Sequence, residues 1–301
     1  MGSNHLNNQF GSKEYKQHEK YMENPALFMR QNWIGYDVES FKMSKIQPRG
    51  YQLKAIDSIH KNKISTIASS RQMGGTSMVS LYIAWYVLFN EKKEVLIMSQ
   101  NSESGRRVLE LIKAILINYS VGGVFNFRDN VTKNNKTELE LDNGTRIKIK
   151  SPLADAGKGC KLDLLFIDNA AFIKNLSDIY MALGMTVVDG RIIIMSTPCD
   201  DSDFNLLALN GKENESINYI EWNWKKLYTK EWYDNMCKQL NFDQNIIDTE
   251  LDCVINHKEK TNKDKTISLR IDAGTYNKMK IKAGELSISD YLRYLIDHDL
   301  S

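Results

Sequence analysis

The chain has 301 residues, of which 42% are hydrophobic and 26% charged, with 40 basic against 38 acidic side chains for a net charge of +2. That length suits one large domain plus a small one, and that composition belongs to an ordinary globular protein, which excludes a fibrous or wholly disordered chain. The balanced charge does not decide on nucleic acid, because a basic face can hide in a neutral total, while the longest mainly apolar run, Met78 to Phe89, is too short to span a bilayer.

Residues 1–46 read as an N-terminal extension in which Pro25 interrupts helix-like stretches; Phe28, Trp33, Tyr36 and Phe41 are expected to pack in the core. The start shows no secretory pattern. Tyr51 to His60 predicts a helix and Ile64 to Ala68 a short buried strand. Thr76 to Phe89 predicts a helix apolar on most sides, Glu94 to Ser99 a strand, and Gly105 to Asn118 an amphipathic helix. Glu138 to Leu141 and Thr145 to Lys150, joined by Asp142-Asn143-Gly144, predict a hairpin with Asn-Gly supplying the turn. Leu164 to Ile167 and Ile192 to Met195 are compact apolar runs suited to central strands buried on both faces. Strands alternating with helices predict an α/β fold with a mostly parallel, doubly wound sheet.

Cys160, Cys199, Cys237 and Cys253 form no C-x-x-C pair and no zinc spacing with any histidine. They read as free thiols of a reducing, intracellular compartment. From His257 to Lys265 no apolar residue occurs, so residues 256–265 read as a linker.

The segment 266–301 regains a pattern. Thr266-Ile267-Ser268-Leu269-Arg270-Ile271 alternates polar and apolar residues, as a half-buried strand does. Asp272 is placed to cap a helix from Ala273 whose Tyr276, Met279, Ala283 and Leu286 share a face. Ser287 with Asp290 makes a capping box for a second helix. This β-α-α order is similar to the ribbon–helix–helix DNA-binding family. The resemblance implies a homodimer through paired strands, with Thr266, Ser268 and Arg270 facing double-stranded DNA and Ser287 near a phosphate. The alternative is a small helical hairpin docked on the first domain.

A buried strand, a tight turn and a helix follow one another at Ile64–Ala68, Ser69–Gly75 and Thr76–Phe89. Backbone N–H groups and a helix N-terminus converge on anionic phosphate in that context. Against G-x-x-x-x-G-K-[ST], Gly74 and Thr76 match, while Ser69 replaces the first glycine and Gly75 the lysine. Alone, this spacing favours an ordinary strand–turn–helix.

Its neighbours extend the pattern. Tyr51-Gln52 precedes it, and Ser70-Arg71-Gln72 leads into Gly74, Thr76 and Ser77. Further on come Ala84-Trp85-Tyr86, Glu140-Leu141-Asp142-Asn143-Gly144, Ser151-Pro152 and Asp155-Ala156-Gly157-Lys158-Gly159. Phe166-Ile167-Asp168-Asn169 and Ser196-Thr197-Pro198 complete the series. Together these resemble the motor ATPase domain of tailed-phage large terminases over residues 47–255, with a small helical subdomain at about 217–255.

The resemblance implies that Gln52 reads adenine and that Ser70, Arg71, Gln72, Gly74, Gly75, Thr76 and Ser77 hold nucleotide, Arg71 as an arginine finger in cis. It implies Mg²⁺ at Thr76 and Asp168, and a coupling motif at Ser196, Thr197 and Pro198. ATP with Mg²⁺ is therefore the implied cofactor, but two departures weaken that implication. Gly75 stands at the phosphate-binding lysine, and Asn169 at the catalytic glutamate. A charge-assisted hydrogen bond is worth about 1.5–3 kcal/mol, and general-base help about 10²–10⁴-fold. Hydrolysis is expected to be lost. Lys158 or Lys161 supplying the missing charge is the less favoured reading.

Too few residues follow Ile255 for the sheet of a ribonuclease-H-like nuclease. The expected protein is a degenerate terminase-like ATPase in the cytoplasm of an infected bacterium. It binds DNA, terminase or portal components and no membrane, as accessory to or competitor of an active motor. The alternatives are an active packaging ATPase and a ribbon–helix–helix transcription regulator that uses the ATPase fold for assembly or nucleotide sensing.

Overall fold

A computed structural model describes residues 12–37, 42–119, 125–153, 156, 159, 161–255 and 272–283. The chain divides into two units, Met1–His257 and Lys258–Ser301. In the first unit, the apolar runs of the sequence become the central strands of an eight-stranded sheet. These are β3 (Ile64–Ser69), β4 (Glu94–Ser99), β8 (Leu164–Asp168) and β9 (Arg191–Ser196). Their residues are buried almost throughout, as strands covered on both faces must be.

The order is β10-β3-β9-β8-β4-β7-β6-β5. It adds β5 (Val131–Asn134), β6 (Glu138–Leu141), β7 (Arg146–Ile149) and β10 (Asn218–Trp222). Pairing is parallel from β10 through to β7, and antiparallel from β7 to β6 and β6 to β5. The fold is thus the mostly parallel α/β sheet that the alternation of elements predicts. Two short strands, β1 (Ile34–Asp37) and β2 (Lys42–Lys45), pair separately.

Alternate residues of each central strand serve opposite cores. Ile67, Val95, Ile97, Ile193 and Met195 meet α3 (Gly50–Lys61), α4 (Gly75–Phe89) and α5 (Ser102–Asn118). Leu96, Met98, Leu165, Ile167 and Ile194 meet α7 (Leu176–Gly184) and α8 (Asp203–Glu213). The N-terminal helices α1 (Ser12–Glu23) and α2 (Pro25–Asn32) close over the first of these cores. Phe28 and Trp33 are buried there as expected, and Trp85 Nε1 donates to the Tyr21 carbonyl at 2.6 Å. The side chains of Tyr36 and Phe41 lie outside the described residues.

Several elements differ from the expectation. The hairpin has the expected Asp142-Asn143-Gly144 loop, in which the Gly144 N–H donates to the Leu141 carbonyl at 3.0 Å, but of the Asn-Gly pair only Gly144, at φ +78°, is left-handed. A third antiparallel strand, β5, continues it after α6 (Phe127–Asn130). Residues 218–222 belong to the main sheet, because β10 hydrogen-bonds to β3 along Asn218–Trp222. The helical part therefore begins later than about residue 217, with α9 (Lys230–Gln239) and α10 (Gln244–Glu250), around a small core of Trp224, Cys237, Ile247 and Leu251.

Cys199, Cys237 and Cys253 are free thiols, and Cys160 lies outside the described residues. Among the described residues, no helix is long and apolar enough to cross a membrane. In the second unit, α11 (Ala273–Ala283) is described; its Asp272 cap accepts from the Thr275 N–H at 3.0 Å. The expected strand 266–271 and second helix lie outside the described residues.

Candidate nucleotide site

Three neighbouring parallel strands, β3, β9 and β8, end side by side at Ser69, Ser196 and Asp168. Open α/β sheets gather their functional loops at such carboxyl ends. A cavity of about 650 Å³ opens there. It is lined by residues 69–77 with Gln100, Asp168, Asn169, Phe172, Met195, Ser196 and Thr197. The sequence-predicted loop, the Asp168 strand end and the Ser196-Thr197 segment are thereby brought together. Gln52 and Pro198 do not line it.

The loop from Ser70 to Gly74 needs two left-handed residues, Gln72 at φ +61° and Gly74 at φ +74°. Glycine is required at the second for space as well, since a Cβ there would lie 2.8 Å from Gln52 Nε2. Gln52 is buried and supports the loop from beneath. Its Nε2 donates to the Met73 carbonyl at 3.2 Å, and its Oε1 accepts from the Arg49 N–H at 2.9 Å. Tyr51 adds a bond from its hydroxyl to the same Met73 carbonyl at 2.9 Å. One end of the Gln52 amide thus holds the loop and the other the N-terminus of its own helix α3, which is a positioning role.

Thr76, in the first turn of α4, donates its hydroxyl toward both Asp168 oxygens, at 3.2 and 3.3 Å. Asp168 is only 2% exposed. Burial pushes its carboxyl up to about 6, against the Thr76 hydroxyl and the Asn169 N–H, which pull it down. A hydroxyl and a carboxylate are the hard oxygen donors Mg²⁺ takes, so this pair fits a Mg²⁺ carried on a nucleotide. Among the described residues no group of three or more His, Cys, Asp and Glu could hold a metal alone. Phosphate and water would have to complete the coordination.

Asn169 follows in the left-handed region at φ +52° and opens the short 3-10 turn Ala170–Phe172. That turn is tied back to β9, where buried Ser196 Oγ accepts from the Ala171 N–H at 3.0 Å. The ends of β8 and β9 are thus joined by a side-chain bond as well as by the sheet.

Arg71 is held from a distance. Its N–H donates to the Glu250 carbonyl at 3.0 Å, and its guanidinium makes a fork on the Glu250 carboxylate, with Nη2 to Oε1 at 2.8 Å and Nε to Oε2. This hydrogen bond raises the already high Arg71 pKa. Ser70 is tied alongside, through its N–H to the Trp222 carbonyl at 2.8 Å and its hydroxyl to the Leu251 carbonyl. Arg71 is the one basic residue among the described residues that line the cavity, and in this arrangement it is paired with Glu250. Glu250 is a functional neighbour that the sequence reading missed; 179 residues separate the pair, so no local pattern signals it. Lys161 is exposed and does not line the cavity, and Lys158 lies outside the described residues. Thr266, Ser268, Arg270 and Ser287 lie outside them too.

No protein-family model matches the sequence. Among solved structures, 70% of this chain superposes on 94% of the ATPase domain of the Thermus phage P74-26 large terminase, with a TM-score of 0.52 at 18% identity. The HK97 bacteriophage large terminase is similar over 76% of this chain and 54% of its own length, with a TM-score of 0.59 at 13% identity. A large terminase from a thermophilic bacteriophage, in complex with ADP, is similar over 68% of this chain and 53% of its own, with a TM-score of 0.53 at 14% identity. The chain thus spans the length of the isolated ATPase domain, but about half the length of the longer terminases. At these identities the likeness is one of fold.

Proposed function

We propose that this chain is a terminase-like phage protein whose ATPase-type site does not hydrolyse ATP, and which engages double-stranded DNA, the packaging machinery or both as accessory to or competitor of an active motor. The observation that carries this reading is the composition of the cavity. Gly75 and Asn169 stand where the terminase resemblance has a lysine and a glutamate, within a fold that is otherwise retained. ATP with Mg²⁺ would bring a polarised γ-phosphate; what the chain offers it is the loop backbone, the Thr76 hydroxyl and the Asp168 carboxylate. A neutral amide at Asn169 does not take the proton of an attacking water. Arg71, the remaining cation of the cavity, is engaged by Glu250. Supporting the DNA half of the proposal are the alternation of Thr266, Ser268 and Arg270 and the Asp272-capped helix that follows.

Titrating Mg-ATP while binding and turnover are measured on one sample, with and without duplex DNA, tests the reading. Turnover is expected to stay at background in both conditions. Steady DNA-stimulated turnover would instead make the chain an active packaging ATPase, with its lysine and base supplied by other residues.

A further inference from the structure

The first residue of α4 rests directly on the central strand β9. A Cβ built on Gly75 would lie 2.6 Å from Met195 Sδ, 3.3 Å from Met195 Cε and 3.6 Å from Trp222 Cζ3. Non-bonded carbon contacts are comfortable at about 3.5–4.0 Å, so the first is a collision and the last an ordinary contact. Gly75 is not among the positive-φ glycines. The constraint at this position is therefore one of space, set by the end of the Met195 side chain, and not of backbone conformation.

Met195 is packed at the centre of the sheet and borders the cavity. It is 4% exposed, and its Cα stands opposite Ile67 in β3 and Asp168 in β8. Trp222, 2% exposed on β10, walls the same corner. In this arrangement the thioether occupies the volume into which a Cβ at position 75 would project.

We infer that Met195 is a specificity-determining residue of this cavity, excluding a cation from position 75 by packing beneath Gly75. This inference rests on reading the cavity as a phosphate site that has lost its motor chemistry. It adds that the loss is held by two residues on different elements, so that restoring lysine at position 75 alone does not restore the site. A bound phosphate is then met by backbone N–H groups and hydroxyls in place of a fixed ammonium.

The test uses the full chain with Gly75→Ala, Met195→Ala, both together, and Gly75→Lys with and without Met195→Ala. Thermal unfolding reads the packing, and calorimetric titration with MgADP reads the site. Gly75→Ala is expected to lower the unfolding midpoint in the native background. With Met195→Ala it should leave the midpoint unchanged or raise it, since alanine otherwise favours a helix over glycine. Additive midpoints would overturn the inference even if Gly75→Lys alone fails to fold. Gly75→Lys with Met195→Ala is expected to bind MgADP on the order of 10-fold or more tighter than Met195→Ala alone, the gain of one charge-assisted hydrogen bond. Gly75→Lys alone is expected to gain nothing. Equal affinity for Gly75→Lys with and without Met195→Ala would overturn the inference, as would non-additive midpoints with no gain in MgADP affinity. Turnover of Mg-ATP by the unmodified chain would defeat the functional reading instead, leaving the midpoint cycle to decide the packing separately.

Discussion

Replacing Asp168 by asparagine is expected to stabilise the protein at pH 7–8 by about 1–3 kcal/mol and to change little below pH 4. Burial raises the carboxyl from 3.8 to about 6, so between those values the folded chain binds a proton that the unfolded chain has released. Stability then falls as pH rises through that window, because the native state binds more protons than the unfolded one. The stabilisation is fully present below about pH 4 and gone above about pH 6. At about 1.4 kcal/mol per pKa unit the ceiling is about 3 kcal/mol, and relaxation around the charge lowers it. Asparagine keeps a side-chain oxygen for the Thr76 hydroxyl, whose bond to Asp168 is 3.2 Å, and it never ionises. Denaturant unfolding at half-unit pH steps, with parent and variant compared, isolates this group from other carboxylates titrating nearby. Identical pH profiles for the two chains would show that Asp168 is not held against its charge. A buried carboxylate that costs stability at neutral pH is the pattern of a ligand-holding group, which is why it bears on the site as well as on the fold.

Which parts of this architecture are legible in the sequence follows from how local their causes are. Glu94–Ser99 and Leu164–Asp168 are continuous apolar runs, and strands buried on both faces leave that trace. The loop at Ser69–Thr76 and the end of β8 are legible because strand, turn and helix follow in order. By contrast, β10 is half-buried along Asn218–Glu221 and becomes a strand by pairing with β3, a partner more than 150 residues away. The helices α7 and α8, of 9 and 11 residues, were not read from the sequence either.

Within the site, residue types were readable and their engagements were not. Gln52 is recognisable by its place before the loop, yet only the fold shows its amide bonded to Met73 and Arg49. Arg71 is recognisable within the loop, yet Glu250 reaches it from the end of α10. Asn169 reads in the sequence as the absence of a base. In the fold it also occupies φ +52°, where asparagine is among the better-tolerated side chains and glutamate would cost about 1–2 kcal/mol. Met195 gives no signal at all until the Gly75 backbone is seen lying on it.

Arg270→Ala is expected to flatten the preference of the chain among DNA duplexes, while neutralising Lys258, Lys260, Lys263 and Lys265 weakens binding to all of them alike. The two outcomes separate because the contacts differ in kind. An arginine on a strand that reads the major groove can bond bidentately to guanine, which discriminates between bases by about 1–3 kcal/mol. A lysine beside a phosphate releases counterions whatever the sequence, steepening the dependence of log K on log salt by about 0.9 for each phosphate neutralised. Removing the four lysines is therefore expected to reduce that slope by up to about 3–4, with preference among duplexes unchanged. Arg270→Ala is expected to narrow the spread between the tightest and weakest duplexes by about 10-fold or more, with at most one unit lost from the slope. Fluorescence anisotropy on a panel of labelled duplexes, at four or five salt concentrations and with the full chain, measures both quantities together. If both variants bind every duplex as the unmodified chain does, at every salt concentration, the segment 266–301 serves protein docking or assembly, and the DNA contacts of this protein lie in its first unit.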